Sequence, residues 1–540
     1  MSEDGADFDY IVVGSGSAGA VVAARLSEDP SVRVLLLEAG PENRSLWAKP
    51  PLGFGKMVAD PRYMLSRTSA PEPMLGGRRV AIGHGRVLGG SSAVNGMVYV
   101  RGFPLDYALW RQMGAVGWSY EDVLPFFRRA ERFVRGGDEF HGGEGPLGVE
   151  GAGWRNALAD GFIDAAGAIG LARNDDFARE TVMGVGYHDL TAWRGQRSST
   201  ARVYLEPARG RRNLTIATEA RVRRIVIEGK RATGVVYEQA GREVTARAAG
   251  EVIISGGGLN SPQLLQLSGI GPGALLRQHG IEVVQDLPGV GENLMDHLQT
   301  CRAYHTTSRQ TVNAVLASPL AMVGAGLNYA LTRRGPMTVG AALAGGFAMT
   351  EPGLDAPDVQ IGFSPFVPDQ ERPGELSKTS GFLLSTYVLR PQSRGHVRIC
   401  SADPFAEAEV ALNVLSAEAD RKVLLAGLRL LRRIAEAEPM RRQGVVEVTP
   451  ELAGTDADDE ERLMALVVRS SGTSYHYSGT ARMGDDDLAV VDPQLRVRGV
   501  AGLRVIDASV MPTVTSGNTN AASIMIGEKG ADMVRQGRRG

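Results

Sequence analysis

A mixed α/β chain, with one domain assembled from both ends of the sequence, is what three stretches predict. The first is FDYIVVGSGSAGAVVAARLSEDPSVRVLLLEAG (8–40). It reads as an apolar strand, a glycine turn, an Ala/Val-rich helix to about Leu26, and a second strand ending at Glu38. The second is NLTIATEARVRRIVIEGKRATGVVYEQAGREVTARAAGEVIISGG (213–257), short β-rich segments at the spacing of antiparallel strands. The third is GLRVIDASVMP (502–512), a buried-type strand followed after a turn by a helix beginning near Thr519. Strand-and-helix units at both ends imply a discontinuous nucleotide domain of residues 1–154, 210–300 and 470–540. The interior, 155–209 and 301–469, is then a second domain, read as a mostly antiparallel sheet with helices.

Within 8–40, Gly14, Gly16 and Gly19 follow a strand and open a helix, with Ser17 and Ala18 between them. That is the Rossmann-like arrangement in which the glycines give a tight turn, close approach to a pyrophosphate, and helix-to-strand packing. The helix N-terminus offers free N–H groups to phosphate. Glu38, with Ala39 behind it, stands where an acid accepts hydrogen bonds from ribose hydroxyls. A glycine triplet alone is a turn; flanked by both strands, the helix and the acid, it predicts a bound dinucleotide. NAD and FAD stay open at this point, and a 2′-phosphate is disfavoured by the charge of Glu38.

Composition narrows the rest. The 540 residues carry a formal charge of −2, with 43% hydrophobic and 22% charged residues, so the overall charge draws the chain neither to nucleic acid nor to an acidic membrane surface. Cys301 and Cys400 are far apart, which argues against a disulfide framework and against a metal site. The first ten residues, MSEDGADFDY, lack the basic and apolar regions of a leader. The weakly apolar stretch 311–331 is broken by Asn313, Pro319 and Asn328, and reads as a partly buried helix rather than a membrane span. A cytoplasmic protein is expected.

GRVLGGSSAVNGMVYVRG (85–102) resembles the first signature of the glucose–methanol–choline (GMC) oxidoreductases, FAD enzymes that oxidise alcohols. GGLNSPQLLQLSGIG (257–271) resembles the second signature, and YHYSGTARMG (475–484) with VIDASVMPTVTSGNTNAASIMIGEKGADMV (505–534) resembles the active-site end. PGVGENLMDH (288–297) and RPQSRGHVRI (390–399) also read as family segments, so the likeness runs along nearly the whole chain. It implies FAD, with Gly89, Gly90 and Ser91 against the flavin, and Asn95, Gly96 and Val98 along its pyrimidine and ribityl side. It further implies a backbone contact from Val222 to adenine, and Asp507 and Ala508 near the ribityl and phosphate groups. Asp507 has an alternative reading as a helix cap. Some members bind FAD covalently through a His where this chain has Val94, so FAD here is expected to be non-covalent. Gly258 and Tyr477 depart from the family pattern, and Tyr477 stands where Pro is common.

The resemblance makes His476 the base that takes the alcohol proton and Asn518 its hydrogen-bonding partner, with Thr519 opening the helix that faces the flavin. An imidazole suits that task because its pKa lies near neutral. An amide does not titrate, so His476 is left as the base. The implied partners are a small-molecule alcohol and an electron acceptor, oxygen or another carrier. A sugar, amino sugar or aromatic primary alcohol is expected rather than choline, because His305 occupies the position of a Glu that holds the trimethylammonium group in choline-type members. Segment 360–366 and Trp193 are candidate pocket walls, though most of these residues suit core packing. A flavin-containing lyase, an NAD enzyme and a binding protein that has lost its activity are the rivals.

Overall fold

The computed structural model describes residues 7–369, 375–452 and 459–539. The polar stretch 1–6, on which the expectation about a leader rests, lies outside the described residues. One sheet draws its strands from both ends of the chain and from 214–254. Its parallel strands stand in the order Leu214–Ala217, Val34–Leu37, Phe8–Val13, Arg242–Ile254 and Leu503–Val505. Ile11, Val12, Val34, Leu36, Val252 and Ile253 have no exposed surface, as strands covered on both faces require.

Arg242–Ile254 serves two sheets at once. Its second half is a parallel strand beside Phe8–Val13, and its first half pairs antiparallel with Arg231–Gln239, which pairs with Ala220–Glu228. The antiparallel spacing read across 213–257 therefore holds for three of its strands. Leu214–Ala217 is the exception: it joins the parallel edge beside Val34–Leu37, because its own segment enters the sheet by a crossover.

The second sheet is antiparallel throughout. Its order is Val446–Glu447, Leu298–His305, Gly381–Val388, Val359–Ser364, Ala344–Ala348 and Gly184–Tyr187, with Gly472–Thr473 also on Leu298–His305. The amphipathic helix Glu418–Glu436 covers one face and buries Leu424, Leu428 and Leu431. It packs so closely that a Cβ on Gly427 would lie 2.6 Å from Thr386 Oγ1.

Segment 311–331 is helical and partly buried, as expected, but in two pieces, the first being Val312–Leu316. Ser318 caps a separate helix, Pro319–Thr332, in which Tyr329 is the buried residue. The helix touches the protein along Ala321, Ala325 and Tyr329, one residue per turn, so most of its apolar side chains face outward.

A buried carboxylate helps to tie the two chain ends together. Glu528, on the C-terminal helix Asn520–Arg539, has a fully buried side chain. It accepts hydrogen bonds from Arg25 Nε and Nη2 at 2.9 and 2.8 Å, Arg129 Nε at 2.8 Å and the Tyr204 hydroxyl at 2.8 Å. Arg25 lies on the first helix, Gly19–Leu26, so this network fixes both helices that begin at the nucleotide turn. Removing the carboxylate takes the buried partner from two partly buried cations and leaves them only the more exposed Glu28 and Asp532. Glu528→Ala is expected to lower unfolding stability by about 3 kcal/mol, measured by denaturant titration. A change within about 0.5 kcal/mol, the scale of an unimportant surface site, contradicts this role.

Candidate active site

The glycine turn is built by exclusion. Gly14 has φ +98°, and a Cβ there would overlap the Ser255 carbonyl; a Cβ on Gly19 would overlap Gly14 itself. Gly16 is different, because a Cβ there meets no atom within 4 Å. Open space above one glycine of the three matches the position that lets a ligand approach the backbone. Ser17 Oγ donates to Asn520 Oδ1 at 2.7 Å, which brings the starts of the two helices together. Two helix N-termini on one side of the turn make it electropositive. Ala18 precedes the first of these helices and is buried.

Glu38 is 6% exposed. It accepts hydrogen bonds from Ser15 N at 3.1 Å, Ser15 Oγ at 2.6 Å and Gly40 N at 2.8 Å, across Ala39. Burial raises its pKa and these hydrogen bonds oppose the rise. Ser15 Oγ also accepts from Gly89 N at 3.2 Å, so the glycine–serine loop is pinned to the same carboxylate.

That loop lies on the turn. Gly89 and Gly90 have φ +95° and +53°, and a Cβ on Gly90 would come within 2.6 Å of Gly16 Cα. Ser91 is exposed while Gly90, Ser92, Ala93 and Val94 are buried. Asn95 Oδ1 accepts from Arg197 Nη1 at 2.7 Å, and Gly96 accommodates Ala341, whose N–H reaches the Gly96 carbonyl at 3.0 Å. Arg197 is 2% exposed, and its Nε and Nη2 find no partner among the described residues. A buried guanidinium left half satisfied fits a group that the described residues do not supply. Val98 is buried and bridges to Leu190; Val222 is half-buried beside a break in strand register. An open glycine, a loop without side-chain bulk and two facing helix ends fit a dinucleotide carrying a flat ring.

His476 and Asn518 meet. Asn518 Nδ2 lies 3.2 Å from His476 Nε2, and His476 Nδ1 lies 2.8 Å from His297 Nδ1. His297 Nε2 is 3.0 Å from the Leu389 carbonyl, which only accepts, so that nitrogen carries the proton. Burial holds the His297 pKa down to about 4, so the ring is neutral and its Nδ1 is an acceptor. His476 Nδ1 must then be the donor, which leaves His476 Nε2 as a bare lone pair facing the Asn518 amide. Burial, then the neighbouring His297, holds the His476 pKa well below its ordinary value.

The frame around this pair is rigid. Asp296 Oδ1 accepts from the backbone N–H groups of His297 and His476, each at 2.8 Å, and Oδ2 accepts from Thr473 Oγ1. Burial pushes Asp296 up to about 7 against these donors. Tyr387 stacks on His297 with ring centroids 4.7 Å apart, and its hydroxyl donates to Gln360. Tyr475 has φ +62°, a left-handed turn that costs a non-glycine residue about 1–3 kcal/mol and presents the next residue, His476. On the other side, Asp106 accepts from Ser516 N at 2.7 Å and Oγ at 2.8 Å, and Gly517 gives room to Val100. Thr519 is buried and directly precedes the helix Asn520–Arg539.

The structure adds to several of these expectations and alters one. Asp507 Oδ1 accepts from Ser509 N at 2.8 Å, and its Oδ2 accepts from Gly257 N at 2.8 Å and Ser261 Oγ at 2.5 Å; this is the capping arrangement left open by the sequence, with Ala508 starting the capped turn. The two departures from the family pattern touch each other, since a Cβ on Gly258 would overlap the Tyr477 carbonyl. The Tyr477 hydroxyl accepts from Gly83 N and donates to Thr473 Oγ1, whose own proton goes to Asp296, and the ring is buried in the core beside the second sheet. Trp193 lies against Arg132 and Gly148. His305 stands at the far end of Leu298–His305, paired with Gly381. At roughly 3.3 Å per residue the strand carries it about 26 Å from His297. It does not line the His476 site, so its imidazole carries no argument against a quaternary-ammonium alcohol. Asp296, His297, Tyr387, Arg197 and Asp106 were not singled out from the sequence as site residues; the DH pair in PGVGENLMDH was the available signal.

A family model described as GMC oxidoreductase matches residues 8–299, and a second of that description matches 391–527. The chain is 40% identical over 537 residues to the oxygen-dependent choline dehydrogenase of Ectopseudomonas mendocina (strain ymp), covering 98% of this chain and 94% of the relative. It is 39% identical over 534 residues to the alcohol dehydrogenase [acceptor] of Pseudomonas putida, covering 98% and 95%. Its fold superposes on pyridoxine 4-oxidase from Mesorbium loti with TM-score 0.88 at 30% identity, covering 99% of this chain and 100% of that one.

The contrast between glycines is testable. Gly14→Ala forces a clash in a left-handed backbone and is expected to lower the melting temperature of cofactor-free protein. Gly16→Ala meets open space, so the cofactor-free melting temperature stays unchanged while FAD retention falls about tenfold, the loss of one charge-assisted hydrogen bond. Thermal melts and FAD titration check both. Equal melting losses, or Gly16→Ala with undiminished FAD affinity, contradict the assignment.

Proposed function

The chain belongs to the GMC oxidoreductases, and on that premise we propose that it oxidises a primary alcohol with non-covalently held FAD, using His476 as base. FAD, when bound, supplies the acceptor for the hydride that leaves the carbinol carbon. The residues proposed to hold it are those of the turn 14–19, Glu38 and Ala39, the loop 89–98, Val222, Asp507 with Ala508, and Thr519. Segments 1–154, 210–300 and 470–540 hold the cofactor in this reading, and 155–209 with 301–469 shape the substrate side. Val94 is buried and has no nucleophilic atom, which supports non-covalent binding.

The observation that carries the reading is the hydrogen-bond series from the Leu389 carbonyl through His297 to His476 and Asn518. It leaves one base, His476 Nε2, beside one amide donor, Asn518 Nδ2. An alcohol oxygen inserted between them gives its proton to Nε2 and accepts from Nδ2–H as alkoxide charge develops. The primary alcohol loses that proton from oxygen and a hydride from carbon, and leaves as an aldehyde. His297 acts through His476: it holds the ring in the one tautomer that works. The relatives' names support an alcohol as substrate, so a test panel includes choline, aryl and sugar alcohols and a pyridoxine-type alcohol.

Anaerobic flavin reduction by the panel, followed by admission of air, tests the reaction and separates oxygen from another carrier as acceptor. His476→Ala is expected to slow reduction by about 10²–10⁴-fold with FAD content intact. The required form is neutral His476, and its pKa is depressed below 6.5. Reduction is therefore flat at neutral pH and falls only as acid protonates Nε2. A rate still climbing from about pH 7 to about pH 8 contradicts this. Wild-type reduction by His476→Ala would remove the base assignment.

His297→Leu removes the Nδ1 acceptor and frees His476 to adopt the unproductive tautomer. An approximately 10–100-fold slower reduction is expected, the usual scale for a lost orienting partner. His297→Asn, which restores an acceptor oxygen, is expected to recover part of it. Equal rates for Leu and Asn variants would assign His297 to packing alone.

A further inference from the structure

The helix Pro319–Thr332 lies on the protein rather than in it. Leu320, Val323, Leu327 and Leu331 are 84%, 68%, 58% and 76% exposed, and Met322 is also exposed. Side chains of this kind, gathered on one 14-residue helix, form a continuous apolar face, unlike the scattered exposed leucines of an ordinary surface. The charge pattern points to what covers it. Residues 310–332 carry no charge, Arg309 stands before them, and Arg333 and Arg334 follow, all three exposed. From His297 to Thr350 the sequence has no Asp or Glu. Neither Arg333 nor Arg334 makes an ion pair among the described residues; the Arg333 guanidinium lies 5.1 Å from the Tyr329 ring centroid.

We propose that this helix docks the enzyme on an anionic lipid surface, lying along the boundary between head groups and acyl chains with the flanking arginines on lipid phosphates. A helix of this size is about 21 Å long, and no helix among the described residues is long and apolar enough to cross a membrane. An uncharged apolar face bracketed by arginines matches an interfacial helix. A second copy is a weaker occupant. A face about 21 Å by 10 Å buries on the order of 500 Å² counted over both partners, about half of what a stable interface needs. The helix lies near the site along the chain, which runs on from Thr332 to Ala341, whose N–H binds the Gly96 carbonyl in the glycine–serine loop.

Flotation of the holoenzyme with vesicles of phosphatidylcholine, alone or mixed with phosphatidylglycerol, tests the proposal. Holoenzyme is expected to float with the anionic vesicles at low salt and to be released as salt rises. Arg333→Gln and Arg334→Gln are each expected to reduce the partition about fivefold. Leu320→Glu with Leu327→Glu is expected to leave the protein unbound, with flavin content and oxidation of a soluble alcohol unchanged. Holoenzyme that stays with the fluid at low salt overturns the proposal, as does a double leucine variant that floats like wild type. A holoenzyme dimer that the leucine variant converts to monomer, with no flotation of either, assigns the face to a second copy and also overturns it.

Discussion

Two imidazole nitrogens 2.8 Å apart cannot both carry a proton and cannot both be bare without repulsion, so one ring must donate to the other. The Leu389 carbonyl decides which. It takes the Nε2 proton of His297, makes His297 Nδ1 the acceptor, and so places the His476 proton on Nδ1. Every feature of the site that makes His476 Nε2 a base follows from that order. Asp296 secures it by holding both histidine backbones, and Tyr387 by stacking on the His297 ring. Low polarity around the pair does the rest: burial that would punish an imidazolium keeps both rings neutral.

The rest of the molecule brings this series to the nucleotide turn. His476 and Asn518 enter from the C-terminal part of the chain, the glycine turn from its beginning, and Arg242–Ile254 forms the seam between parallel and antiparallel strands. Glu528 closes the arrangement by binding Arg25 and Arg129 from one fully buried carboxylate. A left-handed Tyr475 beside His476 is local strain that only an over-determined surrounding holds in place.

Much of this was legible from the residues. The turn 14–19, Glu38 and the two-sheet architecture follow from periodicity and glycine spacing, which act locally. The pairing of His476 with Asn518 was implied by the resemblance, and the geometry has the two side chains in contact. What escaped was whatever depends on partners far away in sequence. The role of His297 comes from a carbonyl 92 positions on and an imidazole 179 positions on. His305 follows Asp296 closely in sequence, but the strand between them carries it away from the site. The apolar stretch 311–331 reads as a partly buried helix, but composition records hydrophobicity and not which side of a helix is covered; the break at Ser318 and the narrow stripe of contacts were not legible.

The protonation order of His476 is the centre of the account, and nitrogen NMR of holoenzyme labelled at histidine reads it directly. Assigned by loss of its signals in His476→Gln, the ring should show a protonated Nδ1 and an unprotonated Nε2 at neutral pH, with a coupling or cross-peak linking its Nδ1 proton to His297 Nδ1. A neutral His476 with its proton on Nε2, or a ring that is cationic at neutral pH, would contradict the account.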